Sequence, residues 1–225
     1  MLECPCCLHI TDSFSSYGTP SRTNARCPNC GAMERDRLNY LFIKDLFYVK
    51  YIDNLKGKFK ILHFAPEKVI SDLFKSYNNV EYISVDITPG RAMRVEDITK
   101  LSFEDDSFDF IYCSHVLEHI SDDIKAMGEL YRVLKPYGSA ITQVPFCNNL
   151  TKTLEDKNVV TDADRLRLYG QKDHVRMYAP DDFIERLRSV GFDVSIDKFY
   201  NSIPNDDKIK HALVDYDIYL STKII

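Results

Sequence analysis

Glycine is scarce in this chain: eight occur in 225 residues, at positions 18, 31, 57, 90, 128, 138, 170 and 191, with no two closer than ten apart. That spacing excludes both the G-x-G-x-x-G dinucleotide fingerprint and the G-x-x-x-x-G-K phosphate loop. Tryptophan is absent, no apolar run reaches the length of a membrane span, and the opening MLECPCCLHI has neither the basic start nor the long apolar stretch of a secretion signal. The chain is therefore expected to be cytoplasmic, with no membrane span. An excess of positive charge is missing too. The 29 basic and 34 acidic residues leave a net charge of -5, which disfavours wrapping a long phosphate backbone and makes nucleic acid an unfavoured partner. What is present, 44% hydrophobic and 28% charged residues, suits one sizeable core with an appendage.

The seven cysteines are unevenly spread, with Cys4, Cys6, Cys7, Cys27 and Cys30 crowded at the start and Cys113 and Cys147 far downstream. In a reducing compartment such crowding points to metal rather than disulfides. Cys4-x-x-Cys7 and Cys27-x-x-Cys30 are spaced as two hooks closing on one tetrahedral Zn²⁺, and with four thiolates the ion is structural. Cys6 or His9 offers an alternative register. Residues 1–32 thus read as a zinc ribbon and 33–57 as a connecting helix and linker, the helix carried by Leu38, Leu41, Phe42, Leu46 and Val49 at helical spacing. Arg22, Arg26, Arg35 and Arg37 are either an anion-binding patch or a solvated charged face.

From residue 58 to 225 apolar strand-like runs alternate with helical stretches. Strands are expected at 59–64, 80–86, 91–95, 108–114, 138–145, 192–199 and 211–220, and helices at 67–77, 121–134 and 181–190. This order implies an α/β, doubly wound, mostly parallel sheet with ligands at the carboxyl ends of its strands. Asp86, followed by Ile87, ends the second strand where a carboxylate can accept from both hydroxyls of a ribose. Asp97 precedes Ile98 where a carboxylate and an apolar neighbour can receive an adenine.

The segment LSFEDDSFDFIYCSHVLEHISDDIKAMGELYRVLKPYGSAITQVP resembles class I S-adenosylmethionine-dependent methyltransferases. The resemblance runs from Ile61 to Pro145 and implies a Rossmann-like seven-stranded sheet with a reversed last strand, helices on both faces, and S-adenosylmethionine at the carboxyl edge. Such enzymes usually carry a glycine-rich loop after the first strand. Here His63, Phe64, Ala65, Pro66 and Glu67 stand in its place, and the resemblance assigns them, with Ser114 and His115, to the cofactor. His119 and His174 are candidate bases for a poorly nucleophilic acceptor, with Asp173 placed to orient His174. His115-Val-Leu-Glu118-His119 also matches H-x-x-E-H, but its place after a Rossmann-like strand argues against a protease zinc site. Arg165, Tyr169, Arg176 and Tyr178, in the polar stretch after the fifth strand, are candidate acceptor-binding residues. The expected acceptor is a small molecule or carbohydrate, by O-methylation as in cell-surface glycan or capsule precursors. An RNA methyltransferase and a non-catalytic zinc-ribbon interaction protein are the alternatives.

Overall fold

The computed structural model describes residues 1–18, 21–45 and 57–224. In chain order the elements are β1 Leu2–Glu3, β2 Ile10–Thr11, β3 Ser15–Tyr17, β4 Arg22–Arg26, α1 Glu34–Phe42, β5 Phe59–Phe64, α2 Lys68–Lys75, β6 Val80–Asp86, β7 Arg94–Val95, β8 Phe108–Ser114, α3 Asp123–Val133, β9 Leu134–Gln143, β10 Leu154–Glu155, α4 Asp162–Tyr169, β11 Arg176–Met177, α5 Pro180–Ser189, β12 Phe192–Asp197, α6 Phe199–Ser202, α7 Asn205–Lys210 and β13 Ile218–Lys223. Leu46 and Val49 of the expected connecting helix lie outside the described residues. The chain divides into two compact units, Met1–Phe59 with Glu67–Glu81 and Ile196–Ile218, and Lys60–Pro66 with Tyr82–Ser195 and Tyr219–Ile225. The first therefore draws in later pieces of chain that a boundary at residue 58 does not separate.

In the first unit β1 pairs with β2 and β3 with β4, each antiparallel. Such isolated pairs of strands two to five residues long cannot hold themselves in water, so other forces must fix them. One is Arg37 of α1, a fully buried guanidinium. It donates to the carbonyls of Asn24, Ala25, Ala32, His211 and Ala212 at 2.7–3.1 Å and stacks over Phe14 at 4.7 Å. Of the four arginines read as a surface patch, Arg37 is thus internal, and Arg22 pairs with the buried Glu34 at 2.9 Å. His211 does not begin a strand as expected. It follows α7, and the last strand starts at Ile218.

The second unit holds the seven-stranded sheet, in the order β12-β13-β9-β8-β5-β6-β7. β5 runs parallel to β8 and β8 to β9, whereas β13 is antiparallel to β9. β8 (FDFIYCS) is central and buried on both faces, which is why it reads as a near-continuous apolar run. Its residues join Leu130, Met127, Phe183 and Tyr219 in one core, where each fully buried side chain contributes about 1.5–3 kcal/mol. β9 starts four residues earlier than its apolar pattern suggests. Leu134 pairs with Phe108, the register slips, and Ser139 pairs with Phe110, so Lys135–Gly138 bulge out. α3 is capped by Asp122 accepting from the Lys125 amide, and α4 opens on Thr161 and closes on left-handed Gly170.

The parallel register brings Phe64 beside Cys113 and Ser114 beside Gln143. The loops that leave β5, β8 and β9 therefore emerge along one edge, the carboxyl edge where open α/β sheets bind ligands.

Candidate functional site

Two clusters of metal-ligating side chains occur among the described residues, one in each unit. The first is Cys4, Cys7, Cys27 and Cys30. Cys4 Sγ lies 3.6 Å from Cys30 Sγ and Cys7 Sγ lies 3.8 Å from Cys27 Sγ. A tetrahedron with Zn–S arms of ~2.3 Å has edges of about 3.8 Å, so the sulfurs fit such an ion. The two hooks are built alike. The Cys4 amide donates to the His9 carbonyl and the Leu8 amide to Cys4; the Cys27 amide donates to Ala32 and the Gly31 amide to Cys27. Gly31 and Leu8 both take left-handed φ, 79° and 59°, so Leu8 occupies the place glycine fills in the second hook. Cys7, and not Cys6 or His9, converges with Cys4, Cys27 and Cys30. Cys6 instead hydrogen-bonds Cys4, and that bond is the main cause pulling the Cys4 thiol down to about 4.

The carboxyl edge of the sheet answers the glycine question. Ala65 adopts φ 45° and His115 φ 56°, both in the left-handed region that glycine enters without cost. The chain thus makes the sharp turns after β5 and β8 with ordinary residues. The Ala65 amide is tied to Val85 O at 2.9 Å and the His115 amide to Gln143 O at 2.8 Å. Asp86 uses Oδ1 to receive the Thr88 amide, with Ile87 exposed beside it. Asp97 receives the Thr99 amide and hydroxyl, and these bonds hold its carboxyl below the usual range. Ile98 is buried beneath it. Ser114 is 3% exposed, and its hydroxyl has no hydrogen-bond partner among the described residues.

The second cluster follows directly. Leu117–His119 form a single 3-10 turn, so His115 and His119 do not share an α-helical face as a helix starting at His115 would place them. Glu118 is fully buried, and neither carboxylate oxygen has a hydrogen-bond partner among the described residues. His115 Nδ1 stands 3.2 Å from Glu118 Oε1 without the alignment of a hydrogen bond. His174 arrives from the loop before β11, its ring edge-on to that of His119 at 4.8 Å between centroids. His174 Nδ1 donates to the Tyr169 carbonyl at 2.9 Å, and His119 Nδ1 donates to the Asp173 carbonyl at 3.2 Å. Asp173 thus orients His119 and not, as the sequence suggested, His174. Burial pushes the His174 imidazole down, which keeps it neutral with a free Nε2 lone pair.

Residues 68–142 match the family model described as Methyltransferase domain. A 53-residue stretch is 42% identical to a demethylmenaquinone methyltransferase of Streptomyces avermitilis, covering 24% of this chain and 23% of that protein. The segment 68–142 thus belongs to the methyltransferase-domain family. A methyltransferase structure from Archaeoglobus fulgidus superposes with TM-score 0.54 at 17% identity, over 84% of this chain and 96% of that one. The [4+2]-cyclase SpnF superposes with TM-score 0.58 at 13% identity, over 86% and 84%, so likeness at this level speaks to the fold alone. The chain spans less than two fifths of the length of the curated relatives it matches.

Several residues expected to face ligands serve this methyltransferase fold instead. His63 is fully buried, bonded to the Tyr82 hydroxyl at 3.0 Å and edge-on to Tyr112. Phe64 is also in the core. Glu67 stands at the N-cap of α2, its carbonyl accepting from the Ser71 amide. Arg176 and Tyr178, read as acceptor-binding, are 3% and 0% exposed. Arg176 spends its donors on Glu155 and on the carbonyls of Leu117, Ile120 and Ser121, while Tyr178 donates to Asp123 at 2.7 Å. Tyr169 is 1% exposed and accepts the Asp156 amide, and Arg165 donates to the Val159 carbonyl. Arg176 thereby staples the 117–121 turn to the paired strands β10 and β11. Glu118 entered the sequence reasoning only through the H-x-x-E-H match and was not taken as a site residue. Its signal was its place between Leu117 and His119 in the first turn after the central strand, where a carboxylate has no ordinary structural reason to be buried.

Proposed function

We propose that the protein transfers the methyl group of S-adenosylmethionine to a hydroxyl of a small-molecule or carbohydrate acceptor, and that the four cysteines hold a structural zinc ion. The observation that carries the acceptor class is the cluster that Glu118 and His119, just after β8, form with His174: Glu118 and His174 are buried with acceptor atoms left unspent, and His119 is partly exposed beside them. Methyl transfer to an amine or thiolate needs little beyond alignment, whereas a sugar or aliphatic hydroxyl must lose a proton as it reacts.

Bound at the carboxyl edge, S-adenosylmethionine supplies a sulfonium-activated methyl group. The residues of this chain do the rest. Asp86 receives the ribose hydroxyls through the carboxylate oxygen not committed to Thr88. Asp97 and Ile98 receive the adenine, and the turns at Ala65 and Pro66 and at Ser114 and His115 admit the methionine portion. His119, whose side chain is 33% exposed, meets the acceptor hydroxyl, and buried His174 and Glu118 support the positive character that proton removal places there. The net charge of -5 suits a neutral acceptor better than RNA.

The test is calorimetric titration with S-adenosylmethionine and S-adenosylhomocysteine, followed by methyl-transfer assays on hydroxylated sugars, nucleotide sugars and ribosomal RNA. Micromolar cofactor binding with transfer to a hydroxyl, lowered about 10²-fold or more by His119→Ala, is expected. Transfer to RNA alone, or absence of cofactor binding, overturns the reading.

A further inference from the structure

Three acceptors converge at Glu118, His119 and His174, and the His115 Nδ1 that stands 3.2 Å from Glu118 Oε1 is not aligned to hydrogen-bond it. The two imidazoles spend their Nδ1 protons on the carbonyls of Asp173 and Tyr169, which fixes both as the tautomer with an Nε2 lone pair. His174 Nε2 and both Glu118 oxygens have no hydrogen-bond partner among the described residues, and Glu118 is 0% exposed. One ligand atom from each residue lies within 4.8 Å of the others. Burying a carboxylate that no hydrogen bond satisfies is costly, and acceptor atoms this close to one another repel. A proton on Glu118 satisfies at most one of these atoms. A cation between them satisfies all three.

We infer that Glu118, His119 and His174 bind a transition-metal dication of the zinc class, a second metal site separate from the four cysteines. Two imidazoles and a carboxylate are the donor set such ions take when a coordination position is left open. The backbone carbonyls on the Nδ1 protons are the outer contacts that orient metal-bound histidines. Arg176, tied to the Leu117, Ile120 and Ser121 carbonyls, fixes the turn carrying two of the ligands, and the side chain of His119 keeps one flank open to solvent.

For catalysis the inference rests on the O-methylation reading. An acceptor hydroxyl in the open position is acidified by the cation and releases its proton to water. Its oxygen pair then forms the C–O bond as the C–S bond breaks and leaves its pair on sulfur. His119 is then a metal ligand and not the base.

The experiment equilibrates the full-length reduced protein with Zn²⁺, removes free metal on a desalting column, and measures zinc per chain by mass spectrometry. Wild type should retain about two ions, and Glu118→Gln and His119→Ala about one, held by the closed cysteine site. His119→Ala replaces a partly exposed residue and so guards against a Glu118 variant that does not fold. Wild type with one ion, or both variants with two, overturns the metal site. Hydroxyl methylation that continues undiminished in chelator-treated protein with one ion removes the cation from catalysis while sparing the O-methylation reading. A two-ion protein that binds no S-adenosylmethionine does the reverse.

Discussion

The four-cysteine hook pair and the Glu118 cluster are both knots of metal-ligating side chains, and they differ in how completely they satisfy themselves. Around the cysteines, the hook amides are matched to hook carbonyls and the sulfurs sit at tetrahedral spacing. Nearby, all five Arg37 contacts go to carbonyls that short strands and loops leave over. Around Glu118 the backbone is equally well tied, by Arg176 and by the Val175 amide on the Glu118 carbonyl, yet the side-chain atoms in the middle are left open. A saturated knot holds a fold together; a rigid frame around unsaturated atoms is built for something that comes and goes.

The comparison is broken most severely by removing a thiolate from the saturated knot. Cys27→Ser should lose about one zinc per chain and unfold the first unit, since binding at such sites is worth ~10–16 kcal/mol and is folding free energy. Metal analysis and hydrogen exchange check it: protection should vanish across residues 1–45 while the β8 and β9 amides stay protected. Cys6→Ser should keep its zinc, because Cys6 lies outside the tetrahedron. A Cys6→Ser protein lacking zinc would reassign the ligands.

Arg37→Met comes next. The substitution keeps most of the volume but leaves five carbonyls facing a thioether, at ~1–3 kcal/mol for each one that finds no water. Denaturant melts should show a loss of at least ~3 kcal/mol. A loss under ~1 kcal/mol would mean that the first unit does not depend on this guanidinium.

The two knots were unequally legible in the sequence, for a physical reason. Ligands that share one turn announce themselves by spacing, so C-x-x-C twice over was readable. Leu8 in a left-handed turn carried no such mark. The strands were legible because β5, β6 and β8 are apolar runs of strand length bounded by turns. The Glu118 cluster was not, because His174 comes 55 residues after His119 and is brought in by the pairing of β10 with β11 and by the Val175 amide on the Glu118 carbonyl. Polarity misled at Arg176 and Tyr178 for the same reason. Their partners Asp123, Glu155 and the Leu117 carbonyl are remote in sequence, so a buried network read as an open binding wall.

That network gives a middle-sized prediction. Arg176→Lys keeps a positive charge but cannot reach Glu155 and three carbonyls in one plane. The 117–121 turn should loosen, lowering kcat about 10- to 100-fold while the dissociation constant for S-adenosylmethionine stays within about threefold. A fall in stability with unchanged kcat would make Arg176 a purely structural residue. If cofactor affinity fell in step with kcat, the turn would belong to the cofactor and not to the acceptor side.

The smallest effect sharpens the comparison between Leu8 and Ala65, two non-glycine residues held at left-handed φ, 59° and 45°. Such a conformation costs an ordinary residue roughly 1–2 kcal/mol, which glycine escapes, although glycine loses more entropy on folding. Leu8→Gly should therefore stabilise the first unit by up to ~1 kcal/mol or change nothing, since the hook needs only the turn. Ala65→Gly should be equally mild for stability and keep cofactor affinity within about threefold. Ala65→Val should separate the two positions: a β-branched residue strains the same φ and places methyl groups where the methionine portion must approach the backbone, raising the dissociation constant tenfold or more. If Ala65→Val bound S-adenosylmethionine as well as wild type, the left-handed turn after β5 would be a matter of folding alone, as at Leu8, and the replacement of the glycine loop by His-Phe-Ala-Pro-Glu would need a cofactor position farther from Ala65.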